Sequence, residues 1–386
     1  MASVDSQIPG NPSIITGRLA FIDFARGVVM IIMAWDHVSD FWHQLHHGGE
    51  GILGSAPAFY NLTWFLERFV SHWCAPSFIF LAGTVLAIST TKRVGRGESQ
   101  RDITVHIITR GLVLLILEAL FVSPAFDLPR LYFGVIACIG VCFIIFSVVR
   151  RLPMPAILIG SLFIILNHSF LSLDWIPNST PLGWYLRVIL HEPSFDGWPY
   201  VGLYPIIPWI GVMGLGWCFG IVLPRLYEVD RRRLIAPIAL TGIASIILFV
   251  VVRWLNSYGN LLLRRGNTLM AWLYVSKYPP SVAFLLWALG GMCLFLAIGL
   301  LLEDRSRPDN GPVGAISQIG RTPLFFYIVH LWLFRLRLPG VTEPPFYLEM
   351  YQTFILWLVG LVILWRLSIW YSGVKGRYPR SILRYI

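Results

Sequence analysis

About ten stretches of mostly apolar residues, separated by short polar segments, constrain this chain more than any motif does. A helix needs about 20 residues to cross the roughly 30 Å hydrocarbon core of a bilayer. The runs at 19–38, 73–91, 103–122, 131–149, 155–173, 203–223, 234–255, 282–302, 316–335 and 353–371 are near that length. A mean hydropathy of +0.69 agrees, so the predicted fold is all-α, a polytopic transmembrane helix bundle of about 10 spans. The spans leave no room for a second domain. The chain divides into a flexible tail at 1–17, a single transmembrane domain at 18–374 and a basic tail at 375–386.

A formal charge of +10 raises the question of nucleic acid. Most of the lysines and arginines, however, sit in short loops between spans, where the positive-inside rule accounts for them and excludes nucleic acid as a partner. With the N-terminus inside, the segments 92–101, 150–151, 225–233, 303–321 and 375–384 all fall on the cytoplasmic side, so both termini are expected there. Residues 1–16 are polar, carry Pro9 and Pro12, and lack a basic region followed by a cleavage site, which reads as a tail rather than a signal peptide. The five cysteines lie in apolar segments without paired metal spacing and read as buried thiols. On the opposite face the loops 39–72, 174–202 and 256–281 are longer and aromatic-rich, as functional loops or lids are. His43, His46 and His47 lie in the first of them, but no Cys or second His pair stands at ligand spacing, and no metal is expected.

The first span is not a plain apolar helix. At 100° per residue, Asp23, Arg26, Met30, Met33, His37 and Asp40 share one stripe. Ionisable side chains at membrane depth are costly unless they line a cavity or find partners, so this stripe, with Asp36 beside it, should face the protein interior. His72 enters the second span at the depth of His37, just before Pro76. In the ninth span, Tyr327 and His330 share a face near that depth. That span starts with Thr322 as N-cap and Pro323 at the first helical position, beside Arg321, a combination that suits a phosphate. Arg110, Glu118 and the Asn167-His168 pair read as internal hydrogen-bonding groups, and Gly83, Gly216 and Gly220 as close-packing positions.

Taken in order, RLAFIDFARG with WDHVSDF, SHWCAPSFIFLAGT, YPIIPWIGVMGLG, KYPPS and GRTPLFFYIVHLWL resemble the bacterial membrane proteins that carry the heparan-α-glucosaminide N-acetyltransferase catalytic domain. The likeness covers nearly everything from Arg18 to about Arg366. More distantly, the chain is similar to integral-membrane acyltransferase type 3 proteins, whose first helix carries an Arg, ten residues, then a His, as Arg26 and His37 do here. The resemblance implies an integral protein of the bacterial inner membrane. It implies transfer of an acetyl or other short acyl group from cytoplasmic acyl-CoA to a hydroxyl or amine acceptor, a glycan or sugar, on the far side. A homodimer is a further option. Where the lysosomal member has its proposed catalytic histidine, in the loop after the first span, this chain has none, and the nearest residue is Asn61.

On that basis Arg26, Arg321 and Thr322 are candidates for holding acetyl-CoA. His37, His72 and Asp40 are candidates for the chemistry, with a histidine as general base and Asp40 orienting it. Asp23, Asp36, Tyr327 and His330 complete the pocket, and Asp23 is expected to pair with Arg26. Arg26 and His37 stand about 16 Å apart along an ideal helix, a gap an extended acyl-pantetheine bridges. The alternative class is a transporter of an anionic solute, which intramembrane arginines suit equally, although no internal repeat supports it.

Overall fold

The computed structural model describes residues 18–43, 50–52, 61–305, 311–336, 347–378 and 381. Among them there is no strand, and helices follow one another as α1 (Ala20–Trp42), α2 (Leu62–Phe69), α3 (Cys74–Gly95), α4 (Gln100–Leu117), α5 (Ser123–Ala125), α6 (Val135–Val149), α7 (Met154–Asn167), α8 (Pro181–Leu190), α9 (Ile206–Asp230), α10 (Ile235–Leu255), α11 (Leu269–Leu273), α12 (Val282–Leu301), α13 (Gly311–Gly320), α14 (Pro323–Arg335) and α15 (Met350–Arg377). Five helical stretches, 62–95, 100–125, 206–255, 282–301 and 350–377, are long and apolar enough to cross a membrane. This is an integral membrane protein. The stretch 206–255 contains two of the expected spans, α9 and α10, and the expected total of about ten is not itself established by these lengths. α1 is missing from the five for a physical reason, since it carries Asp23, Arg26, Asp36 and Asp40 within its apolar run.

Helix starts follow local chemistry. Ser99, Thr180, Thr268 and Ser281 each accept a backbone N–H of the following turn, which satisfies amides that the helix leaves unpaired. Pro205, in an extended conformation, is the N-cap of α9 just ahead of Ile206. The ninth predicted span is broken. α13 ends at Gly320 and α14 begins at Pro323, because proline restricts the residue before it and supplies no N–H to continue the ladder.

α1 is the axis of the bundle and packs against α3, α12, α13, α14 and α15. Its contact with α13 is backbone to backbone. A Cβ on Gly27 would lie 1.9 Å from the Ile316 carbonyl oxygen, and one on Gly320 would lie 1.8 Å from that of Asp23. α3 meets α9 in the same way, with Gly216 against Phe80 O and Gly220 against Thr84 O, so the small residues there do set helix approach. α4, α10 and α15 turn large apolar side chains such as Ile116, Leu240 and Val362 outward, as a lipid-facing periphery requires.

Candidate functional site

Two cavities lie along α1. The larger, about 460 Å³, flanks its C-terminal half and is lined by Met33, Asp36, His37 and Asp40 with Arg68, Glu118, Tyr204, Lys277 and Tyr278. The smaller, about 280 Å³, flanks the N-terminal half and is rimmed by Arg18, Arg26, Arg110, Arg321 and Lys375 over an apolar lining that includes Met30, Ala82 and Ile136. Phe78, Val135 and Tyr327 line both. The two spaces are therefore neighbours, with one aliphatic and two aromatic side chains common to their walls.

The stripe on α1 thus reaches both cavities, its basic end in one and its histidine end in the other. One expected pairing is different. Asp23 takes the guanidinium of Arg18, whose Nε donates to Oδ2 at 2.5 Å and whose Nη2 donates to Oδ1 at 3.3 Å, and not that of Arg26. Arg18 lies ahead of the helix and can fold back over Asp23, which leaves Arg26 to donate to Leu81 O at 3.3 Å and to line the basic cavity.

In the larger cavity, His37 Nδ1 lies 2.7 Å from His330 Nε2, and His330 Nδ1 lies 2.9 Å from the Phe326 carbonyl oxygen. A carbonyl only accepts, so His330 carries its proton on Nδ1 and offers a lone pair at Nε2. His37 must then carry its own proton on Nδ1, which leaves the lone pair of its Nε2 available. Phe126 and Tyr327 pack edge-on against the His37 ring, 5.3 and 6.3 Å away by centroid. His330, expected as a pocket residue, is the ring partner of His37. Asp40 lines the same cavity one turn further along α1, on its exposed side.

Asp36 is committed elsewhere. Both its carboxylate oxygens accept from Arg68 Nη1, at 2.6 and 2.7 Å, while Arg68 Nε and Nη2 donate to Glu50 at 2.8 and 3.2 Å. His72 belongs to this network, with Nε2 3.4 Å from Glu50 Oε1. It is 1% exposed and lines neither cavity. Burial alone raises the Glu50 carboxyl, but Arg68 and His72 overcome that and hold it well below the usual carboxylate range. Beside this network Glu67 accepts from Ser39 and faces His43 at 3.5 Å. His46 and His47 lie outside the described residues, and Asn61 caps α2 by accepting from Trp64 N at 3.1 Å. Among the described residues no group of three potential metal ligands occurs.

Thr322 occupies the N-cap position of α14, as its sequence predicts, but its hydroxyl makes no capping bond and is buried. Arg321 lines the basic cavity, its Nη1 3.4 Å from Gln318 Oε1. Glu118 sits in a π-helical turn at the end of α4, and its Oε2 accepts Ala137 N–H of α6 at 2.9 Å. That matches its reading as an internal hydrogen-bonding group. Arg110, read the same way, reaches the basic cavity with its guanidinium 5.1 Å above the Phe143 ring.

Sequence reading missed Glu50, Phe78, Val135, Lys277, Tyr278 and Lys375 as lining or supporting residues. Lys277 and Tyr278 stand within the KYPPS motif, which is the one available signal for them.

The catalytic domain of heparan-alpha-glucosaminide N-acetyltransferase matches residues 18–254. The chain belongs to that family, which points to a membrane transferase. No curated protein matches the chain. The matched stretch includes α1, α3, α4 and α6, which supply Arg26, His37, Phe78, Arg110 and Val135 to the two cavities.

Proposed function

Proceeding from that membership, we propose that the protein moves an acetyl or other short acyl group from cytoplasmic acyl-CoA to a hydroxyl or amine of a sugar acceptor across the membrane. The observation that carries this reading is the placement of a basic and a histidine cavity side by side along α1, with Phe78, Val135 and Tyr327 common to both. Five cationic side chains suit the phosphates of CoA, with Arg26 and Arg321 as the principal ligands and the Thr322-Pro323 helix start beside them. The apolar lining suits the pantetheine arm. The thioester then lies past these three side chains, next to His37.

In the transfer, an acceptor O–H or N–H attacks the thioester carbonyl carbon as His37 Nε2 takes its proton. The new C–O or C–N bond forms, and the carbonyl π pair moves onto oxygen. When that pair returns, the C–S bond breaks and the CoA thiolate recovers the proton from His37. His330 holds the imidazole in the required tautomer, and Asp40 supports the transient cation. Direct transfer of this kind needs no covalent acyl-enzyme.

The test is titration of the purified protein with acetyl-CoA, followed by the same titration on Arg26→Gln and Arg321→Ala. Saturable binding that weakens about tenfold or more in both variants, with unchanged melting, supports the reading. Absence of binding to the unaltered protein overturns it.

A further inference from the structure

Resting on that reading, the geometry points to Lys277 as a further catalytic residue, whose ammonium stabilises the oxyanion formed when the thioester carbonyl is attacked. Lys277 is 4% exposed and lines the histidine cavity. Among the described residues its side chain makes no ion pair or hydrogen bond, and its Nζ lies 5.2 Å from the centroid of the Tyr278 ring. A buried ammonium without a carboxylate is expensive and contributes nothing to folding by being there. Function is the better explanation.

The other Lys or Arg side chain lining this cavity is occupied. The Arg68 guanidinium is divided between Asp36 and Glu50. A developing oxyanion needs a donor fixed in advance, in a place from which water is excluded. The backbone that carries Lys277 is pinned on both sides. Its N–H and that of Tyr278 both donate to Glu50 O, at 3.1 and 3.0 Å, and Ser281 N–H closes the segment onto Ser276 O at 2.9 Å. The Arg68 network thus has a role of its own, since Glu50 holds the Lys277 segment with its backbone and Arg68 with its carboxylate.

The step balances without any other reactant. As the acceptor oxygen or nitrogen bonds to the carbonyl carbon, the π pair localises on the carbonyl oxygen beside Nζ. It returns to form the new ester or amide carbonyl as the C–S bond breaks, and Lys277 neither gains nor loses a proton.

Lys277→Met and Lys277→Arg test this with acetyl-CoA as donor, and with methyl α-glucosaminide and water as acceptors. Lys277→Met should lower kcat about 10²- to 10³-fold, as loss of an oxyanion donor does. KM for both substrates and the affinity for acetyl-CoA should stay within about threefold, and Lys277→Arg should recover part of kcat. Melting of Lys277→Met should be unchanged or higher, because no partner is stranded. A second readout needs binding only: the isotope-edited carbonyl band of bound acetyl-CoA should shift to lower frequency in the unaltered protein and revert in Lys277→Met. A fall confined to acceptor affinity, an unchanged kcat, or a carbonyl band indifferent to Lys277 overturns the assignment while acetyl-CoA binding stands. Failure of the unaltered protein to bind acetyl-CoA overturns both readings.

Discussion

Between His37 and His330, a backbone carbonyl decides the chemistry. Phe326 O orders the proton on His330, and His330 orders the proton on His37. His37→Ala should therefore lose about 10²- to 10⁴-fold in turnover and keep its acetyl-CoA affinity. His330→Phe removes the acceptor for His37 Nδ1–H and should lose less, and His330→Gln, whose carbonyl still accepts, less again. Turnover of the three variants checks the order, and a fully active His330→Phe would show that the tautomer does not matter. Glu50 yields a prediction about stability. Its carboxyl is depressed in the folded protein, so its contribution is fully present above the unfolded value of about 4.3 and is lost as pH falls through the folded value. Glu50→Gln should flatten that acid limb in a melting series and cost about 3 to 5 kcal/mol at neutral pH, as breaking a buried pair does. The stripe from Asp23 to Asp40 was legible because helical periodicity is local. The Arg18 pairing, the His37 to His330 bond and the place of Lys277 were not, because each depends on which distant helix or loop comes alongside.

At the scale of elements, the packing of α1 on α13 tests how closely two helices must approach. The Gly27 Cα faces a carbonyl, not a flexible side chain, so Gly27→Val forces backbone to move and should destabilise by about 1 to 3 kcal/mol or more. Gly160 in α7 has nothing within 4 Å of its added Cβ. Gly160→Ala should instead stabilise by about 0.5 to 1 kcal/mol through helix propensity. Detergent-solution melting of the pair separates close packing from propensity, and equal effects would refute the distinction. Gly83, Gly216 and Gly220 were readable from their setting in apolar helices. The break between α13 and α14 was half readable: Thr322-Pro323 marks a helix start, yet the hydropathy on either side is continuous and hides the end that precedes it.

At the scale of the whole molecule, two unlike cavities lie side by side along α1, and the orientation of the bundle decides whether the donor can reach the basic one. Hydropathy found the bundle, because apolar length is an additive property of sequence. It did not find the wall the two cavities share, which three residues from α3, α6 and α14 make only when those helices converge. If the basic cavity receives CoA from the cytoplasm, the turns that follow α3 and end α9 must lie inside and the loops around α8 and α11 outside. Cysteines placed at the exposed positions Gly97 and Glu228 should then resist an impermeant thiol reagent in intact cells, and cysteines at Asp174 and Gly266 should react. The native background is low, since Cys74, Cys138, Cys142 and Cys218 are buried and Cys293 is half-buried. Permeabilisation must make the first two positions reactive, which separates protection by the membrane from protection by folding. The reverse labelling pattern would put Arg26, Arg110 and Arg321 at the outer face and the histidines toward the cytoplasm. An acyl group would then have to start from the side where the cavity has no phosphate ligands, and the donor scheme would fail even if acetyl-CoA bound to the purified protein.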